Sequence, residues 1–219
     1  MQSAAQRRAI LLFVKYPEPG RVKTRIAATV GPEKAALIYK KLVARVWSQL
    51  PAEVEVTVCY DPPERDGEVR AWLPRAARYQ PQVAGDLGAR LRVAVDSAFA
   101  DGAARVAVIG SDCVELTPEV FAQTWDALDR SEVVLGPTHD GGYYLVALRR
   151  PMSAIFENVR WSTEHTLADT IAQAGTAPVH LLPMLNDVDT YEDWLASPLF
   201  SAVVVRSKLE STVRSKVEK

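Results

Sequence analysis

In "KYPEPGRVKTR", four cations, Lys15, Arg21, Lys23 and Arg25, surround a lone glycine, Gly20. Clustered cations attract anions, and an isolated glycine lets the backbone turn sharply to meet one. The chemistry this points to is phosphate binding. A second set is acidic: Asp112 in "GSDC", with Asp187 and Asp189 in "NDVDT". Carboxylates held together can share a hard divalent cation, Mg²⁺ or Mn²⁺, and Mg²⁺ commonly bridges protein carboxylates to phosphate. An anion loop beside such carboxylates implies a nucleotide phosphate as the third party. A third set is "HDGGYY" and "RWST". There Asp140, the amides of Gly141 and Gly142, and Ser162 could face an acceptor.

Each set has a plainer alternative. The basic stretch alone reads first as a solvated turn. Asp112 suits a turn or helix cap, and "DVDT" could cap a helix beginning near Tyr191. "HDGG" fits a hairpin turn, and His139 a solvated loop. In "GDLGAR", Gly85 and Gly88 permit close backbone approach to a ligand, while Asp86 equally suits an N-cap. Ser162 or Thr163 could cap the helix that follows.

The elements that must position these residues alternate. Apolar, β-branched runs predict strands at Ala9–Val14, Val54–Tyr60, Arg105–Gly110, Glu132–Gly136, Tyr143–Leu148 and Val179–Pro183. Apolar stripes at spacings of three and four predict helices over Pro32–Leu50, around Val69–Leu73, and over Asp86–Ala100, Thr117–Arg130 and Thr163–Ala174. A short helix is expected from Tyr191 to Leu195. Such alternation argues for an α/β domain with a mostly parallel sheet. Ligands in such sheets bind beyond the carboxyl ends of strands. Four strand exits carry charge or glycine: "KYPEPGRVKTR", "SDC", "PTHDGG" and "MLNDVDT". It is this coincidence that turns the reading toward a ligand site.

Composition narrows the function. With 219 residues, 48% of them hydrophobic, the chain suits one domain over residues 1–205, followed by a polar tail, 206–219, read as a solvated helix or frayed end. A net charge of −1 gives no basic field for nucleic acid or an anionic membrane. No apolar stretch approaches a membrane span. Two cysteines point to a reducing cytoplasm. The P-loop pattern fails around Lys23–Thr24, no dinucleotide fingerprint follows the first strand, and no zinc spacing occurs. Three histidines form no compelling nucleophile–base arrangement.

Taken in order, "FVKYPEPGRVKTRI", "GDLGARL", "GSDCVEL", "LGPTHDGGYYLVAL", "VRWST" and "NDVDTYEDW" resemble the rSAM/selenodomain-associated transferase 1 family. That family belongs to the nucleotide-diphospho-sugar transferase superfamily, with a Rossmann-like GT-A fold. Some pieces are also similar to 2-phospho-L-lactate guanylyltransferase. The resemblance spans about Ala9 to Leu195. It implies a nucleotide over the sheet's carboxyl edge, with Lys15, Lys23 and Arg25 on the phosphates. It implies Gly85, Leu87 and Gly88 along the nucleotide, and with Gly20 and Thr24 of the basic loop the expected nucleotide-binding set is Lys15, Gly20, Lys23, Thr24, Arg25, Gly85, Leu87 and Gly88. It implies Asp112 and Asp189 as metal ligands with Asp187 nearby, and Gly141, Gly142, Tyr143 and Ser162 around the acceptor, where the loop's own residues already placed Asp140. Val114 and Tyr191 stand where the family carries proline. Cys113 removes the D-x-D of many sugar transferases.

The expected activity is nucleotidyl transfer from a nucleoside triphosphate to a small phosphorylated or acidic acceptor. Lys23, Arg25 and Asp112 are its catalytic residues. The alternatives are glycosyl transfer from a nucleotide sugar, and a nucleotide-binding regulator without catalysis.

Overall fold

Arg8–Lys15 form β1, whose side chains alternate between two cores. Ile10, Leu12 and Val14 enter one; Leu11 enters the other, with Phe13 packed against it. A strand covered on both faces must be apolar on both sides of its pleat. The computed structural model describes residues 7–201. The polar tail expected at 206–219 lies outside them.

β1 pairs in parallel with β2 (Glu55–Asp61) and β4 (Arg105–Ile109). β3 (Arg78–Pro81) extends the sheet beyond β2, also in parallel. On the other side β6 (Tyr143–Leu148) runs antiparallel to both β4 and β5 (Val133–Pro137). β7 (Val179–Leu181) closes that edge, parallel to β5. Among the described residues the order is β3-β2-β1-β4-β6-β5-β7, so only β6 opposes the common direction. The mostly parallel α/β sheet expected from the sequence is the one observed.

Among the described residues, seven α-helices flank it: α1 (Thr24–Val30), α2 (Pro32–Gln49), α3 (Asp66–Trp72), α4 (Leu87–Ala100), α5 (Pro118–Ala127), α6 (Thr166–Gln173) and α7 (Tyr191–Ala196). α2 buries the predicted stripe of Ala35, Ile38, Leu42 and Val46, and adds Tyr39 and Val43. Phe121 and Trp125 of α5 join its core, while Leu91 and Val95 of α4 pack on the opposite face. A third, smaller cluster matters most for function. Ile26, Ile38, Leu42, Val114, Val188 and Trp194 tie α1, α2 and α7 to the loops after β4 and β7.

Two elements are absent from the sequence reading. α1 has seven residues and buries Ile26 alone, too little for a periodic signal. β3 is a polar four-residue edge strand, "RYQP", without the β-branched run that marks a strand. Several boundaries also move: α6 begins at Thr166 rather than Thr163, α5 stops at Ala127 rather than Arg130, and β7 stops at Leu181.

Candidate functional site

The parallel strands end together, and the loops leaving β1, β4 and β7 meet beyond that edge. One backbone bond and one backbone-to-carboxylate bond stitch two of these loops. The Val188 amide donates to the Asp112 carbonyl at 3.1 Å, and the Asn186 amide donates to the Glu115 carboxylate at 3.1 Å. Asp112 and Asp189, far apart in sequence, are thereby held close.

Both carboxylates converge on one cation, the Lys23 ammonium. Nζ lies 2.9 Å from Asp112 Oδ2 and 2.8 Å from Asp189 Oδ1, and the lysine side chain is only 7% exposed. Burial opposes the charge on Lys23, but the two aspartates outweigh it, and the net effect raises its pKa. Lys23 precedes α1 in a left-handed conformation, φ 46°, uncommon for a residue with a side chain. Arg25 is largely exposed, with Nη1 3.8 Å from Asp189 Oδ2.

The alternatives for "DVDT" resolve at this point. The helix is capped by Thr190, whose hydroxyl accepts from the Asp193 amide at 3.1 Å, while Asp193 accepts from the Thr190 amide. This capping box leaves Asp187 and Asp189 free of capping. Asp187 sits beside Cys113 and Asp140. Burial, then the Asp112 charge, pushes its carboxyl up to about 7. Among the described residues, no three His, Cys, Asp or Glu side chains gather closely enough to cage a metal.

A cleft of about 650 Å³ opens next to this triad, beyond β1 and β4. Lys15, Lys23, Thr24, Gly85, Leu87, Asp112 and Ser162, all singled out in the sequence, line it. So do Arg21, one of the four clustered cations, and residues the sequence did not single out: Phe13, Tyr39, Gln82, Arg90 and Ser111. Gln82 Nε2 donates to the Val14 and Cys59 carbonyls, and Gln82 Oε1 accepts from Arg90 at 3.2 Å. Arg90 Nε donates to the Gly85 carbonyl at 3.1 Å. A glutamine after an unrecognised edge strand carries no sequence signal of its own.

Other selected residues, Ser162 excepted, lie outside the cleft lining. Gly20 has φ 80° and serves the turn before α1. Gly88 is buried against Trp161, and a Cβ there would lie 2.5 Å from the Phe156 carbonyl oxygen. Asp86 caps α4, its carboxylate accepting from the Ala89 amide at 2.8 Å. Asp140 shapes the β5–β6 turn: Oδ1 accepts from Thr138 Oγ1 at 2.6 Å and from the Gly142 amide at 3.0 Å. Gly141, φ 84°, presses on the Glu164 backbone, leaving no room for a Cβ. The Tyr143 hydroxyl is buried with no hydrogen-bond partner among the described residues, and its ring packs edge-on to Trp161. Ser162, φ 60°, faces the cleft from a backbone conformation that costs energy, and caps no helix. His139 is solvent-exposed in the turn. Both cysteines are buried, which pushes each thiol up to about 12 and leaves no reactive thiolate.

A family model described as "Uncharacterized protein conserved in bacteria (DUF2064)" matches residues 48–163, just over half of the chain. The chain belongs to this family. The matched region includes Asp112, the α4 start and Ser162; the cationic loop and Asp189 lie on either side of it. No curated protein matches the chain. Among solved structures, one from Desulfovibrio desulfuricans G20, provisionally named a nucleotide-diphospho-sugar transferase, is 32% identical. The alignment covers 93% of this chain and 96% of that one, with a TM-score of 0.81. CMP:2-keto-3-deoxy-manno-octonic acid synthetase complexed with CTP is 14% identical, over 94% and 100% of the two chains, with a TM-score of 0.53. Rv0371c from Mycobacterium tuberculosis H37Rv, in complex with manganese, is 17% identical over 86% and 96%, with a TM-score of 0.50. At such identities the last two establish a shared fold. No described helix is long and apolar enough to cross a membrane.

Proposed function

We propose that this protein is a Mg²⁺-dependent nucleotidyltransferase, moving a nucleoside monophosphate from a triphosphate onto a small phosphorylated or acidic acceptor. One observation carries the reading: Asp112 and Asp189 converge on a single cation at the rim of a cleft walled by Lys15, Arg21 and Thr24. The donor set suits a hard divalent ion, because two carboxylates from separate loops already meet at one positive charge. Mg²⁺ usually takes one or two carboxylates and completes its shell with water and phosphate. Bound there, such an ion supplies charge neutralisation at the transferring phosphate.

The chain's own residues do the rest. Lys15 and Arg21 attract the triphosphate into the cleft. Lys23 and Arg25 neutralise charge that builds on the departing pyrophosphate. An acceptor already ionised at neutral pH attacks the α-phosphorus in line and needs no general base. Ser162, held at the cleft with φ 60°, offers its hydroxyl to the acceptor. Gly85 and Leu87 lie along the nucleotide. Positioning and electrostatics suffice for this class of transfer. The CTP-bound synthetase and the manganese complex on the same fold support the nucleotide and the cation. Membership of the rSAM-associated transferase group, with its guanylyltransferase similarity, is part of the same proposal.

A second reading, glycosyl transfer from a nucleotide sugar, is favoured by the provisional name of the 32%-identical relative. One assay separates the two. Purified protein is screened by thermal shift with Mg²⁺ against the four nucleoside triphosphates and a panel of nucleotide sugars, and any ligand found is tested for turnover. Release of pyrophosphate, abolished in Asp112→Asn, supports nucleotidyl transfer. Release of a nucleoside diphosphate replaces it with glycosyl transfer. Near-normal turnover in Asp112→Asn overturns the metal assignment.

A further inference from the structure

We infer that the Lys23 ammonium and the divalent cation are alternative occupants of one site, so that the cation enters as a bound polyphosphate draws the lysine away. The inference rests on the assignment of Asp112 and Asp189 as the cation's ligands. Nζ lies within 2.9 Å of an oxygen of each, and both oxygens point into the same gap. A second cation entering that gap meets both a filled position and the repulsion of a charge at contact distance.

The geometry also shows how the lysine leaves. The backbone around Lys23 is pinned, because Val22 and Ile26 are buried at 3% and 0% exposure. The side chain therefore departs by rotating its own four-carbon stem, with the loop in place. It does not depart for nothing: an ammonium held by two carboxylates gives them up only for another anion. Its neighbours Arg21 and Thr24 line the cleft, so a polyphosphate bound there lies within reach. Arg25 is no substitute, since its guanidinium is 74% exposed and stands 3.8 Å from Asp189.

The consequence is a coupling between polyphosphate and cation. Each raises the affinity of the other by the same factor, and a factor of roughly 5–150 is usual for such coupling. The site then discriminates against free divalent ions and accepts them with substrate.

The test is a titration of Mn²⁺ in phosphate-free buffer, followed by electron paramagnetic resonance, and involves no turnover. Lys23→Met and Lys23→Gln are expected to bind Mn²⁺ roughly ten-fold or more tightly than the wild type. Lys23→Arg, which keeps the charge, is expected to stay as weak as the wild type. Melting curves establish which variants are folded, and either neutral variant suffices. A wild type that binds Mn²⁺ as tightly as the neutral variants overturns the competition and leaves the metal ligands standing. No Mn²⁺ on any variant overturns it too. In that case, pyrophosphate release that survives in Asp112→Asn shows that the ligand assignment has failed, while the transfer reaction stands.

Discussion

The Tyr39 hydroxyl stands 3.1 Å from Ser111 Oγ and accepts the Lys15 amide at 3.0 Å. One phenol from α2 thus joins the ends of β1 and β4, the two strands that open the cleft. Burial, reinforced by the Asp112 charge, raises its pKa and keeps it neutral. Tyr39→Phe leaves the Lys15 amide and the Ser111 hydroxyl short of a partner. It should cost about 1–3 kcal/mol in urea unfolding and loosen nucleotide binding several-fold. Unchanged stability would mean that water replaces the phenol freely.

Gly88 permits α4 to start against Trp161. A Cβ would meet the Phe156 carbonyl oxygen at 2.5 Å and Trp161 Nε1 at 2.8 Å. Gly88→Ala should therefore destabilise by about 1–3 kcal/mol and alter indole fluorescence. Trp161→Phe should rescue it only in part, because the carbonyl remains. Full rescue would place the whole conflict on the indole.

The Thr190–Asp193 capping box orients the turn that presents Asp189. Thr190→Ala should cost about 1 kcal/mol. It should also weaken Mn²⁺ retention in the presence of nucleotide, since Asp189 loses its frame. A stability loss without any change in metal binding would separate the cap from the site.

Asp187 carries a pH signature. Its folded pKa lies at about 7, above the ordinary value of 3.8. Between those values the unfolded chain releases this proton and the folded chain keeps it. Stability from this group is thus full below about pH 4 and falls as pH rises towards 7. Asp187→Asn removes the effect. In divalent-free buffer, the unfolding free energy of the variant relative to wild type should rise across that window. A difference independent of pH would show that Asp187 ionises normally in the fold.

The α/β class was legible because β1, β2, β4, β5 and β6 are apolar or β-branched and the larger helices carry full stripes. Both patterns follow from burial on known faces. The order of strands was not legible, nor was the antiparallel setting of β6, because pairing partners are chosen by packing across the whole sheet. α1 and β3 escaped notice since a helix with one buried residue and a polar edge strand owe their form to neighbours. Gln82 was missed with β3, which it follows, and Arg90 of α4 because its bond to Gln82 exists only in the fold. The chemical types at the site were readable from strand exits: cations after β1, an aspartate after β4, two more after β7. Which of those aspartates meet was decided by Val188 bonding to the Asp112 backbone and by the cluster around Ile26 and Trp194. That Lys23 lies between Asp112 and Asp189 is likewise a product of tertiary structure. Sequence determines charge and spacing along the chain, but a contact between residues 23, 112 and 189 exists only after the sheet has brought three loops to one edge.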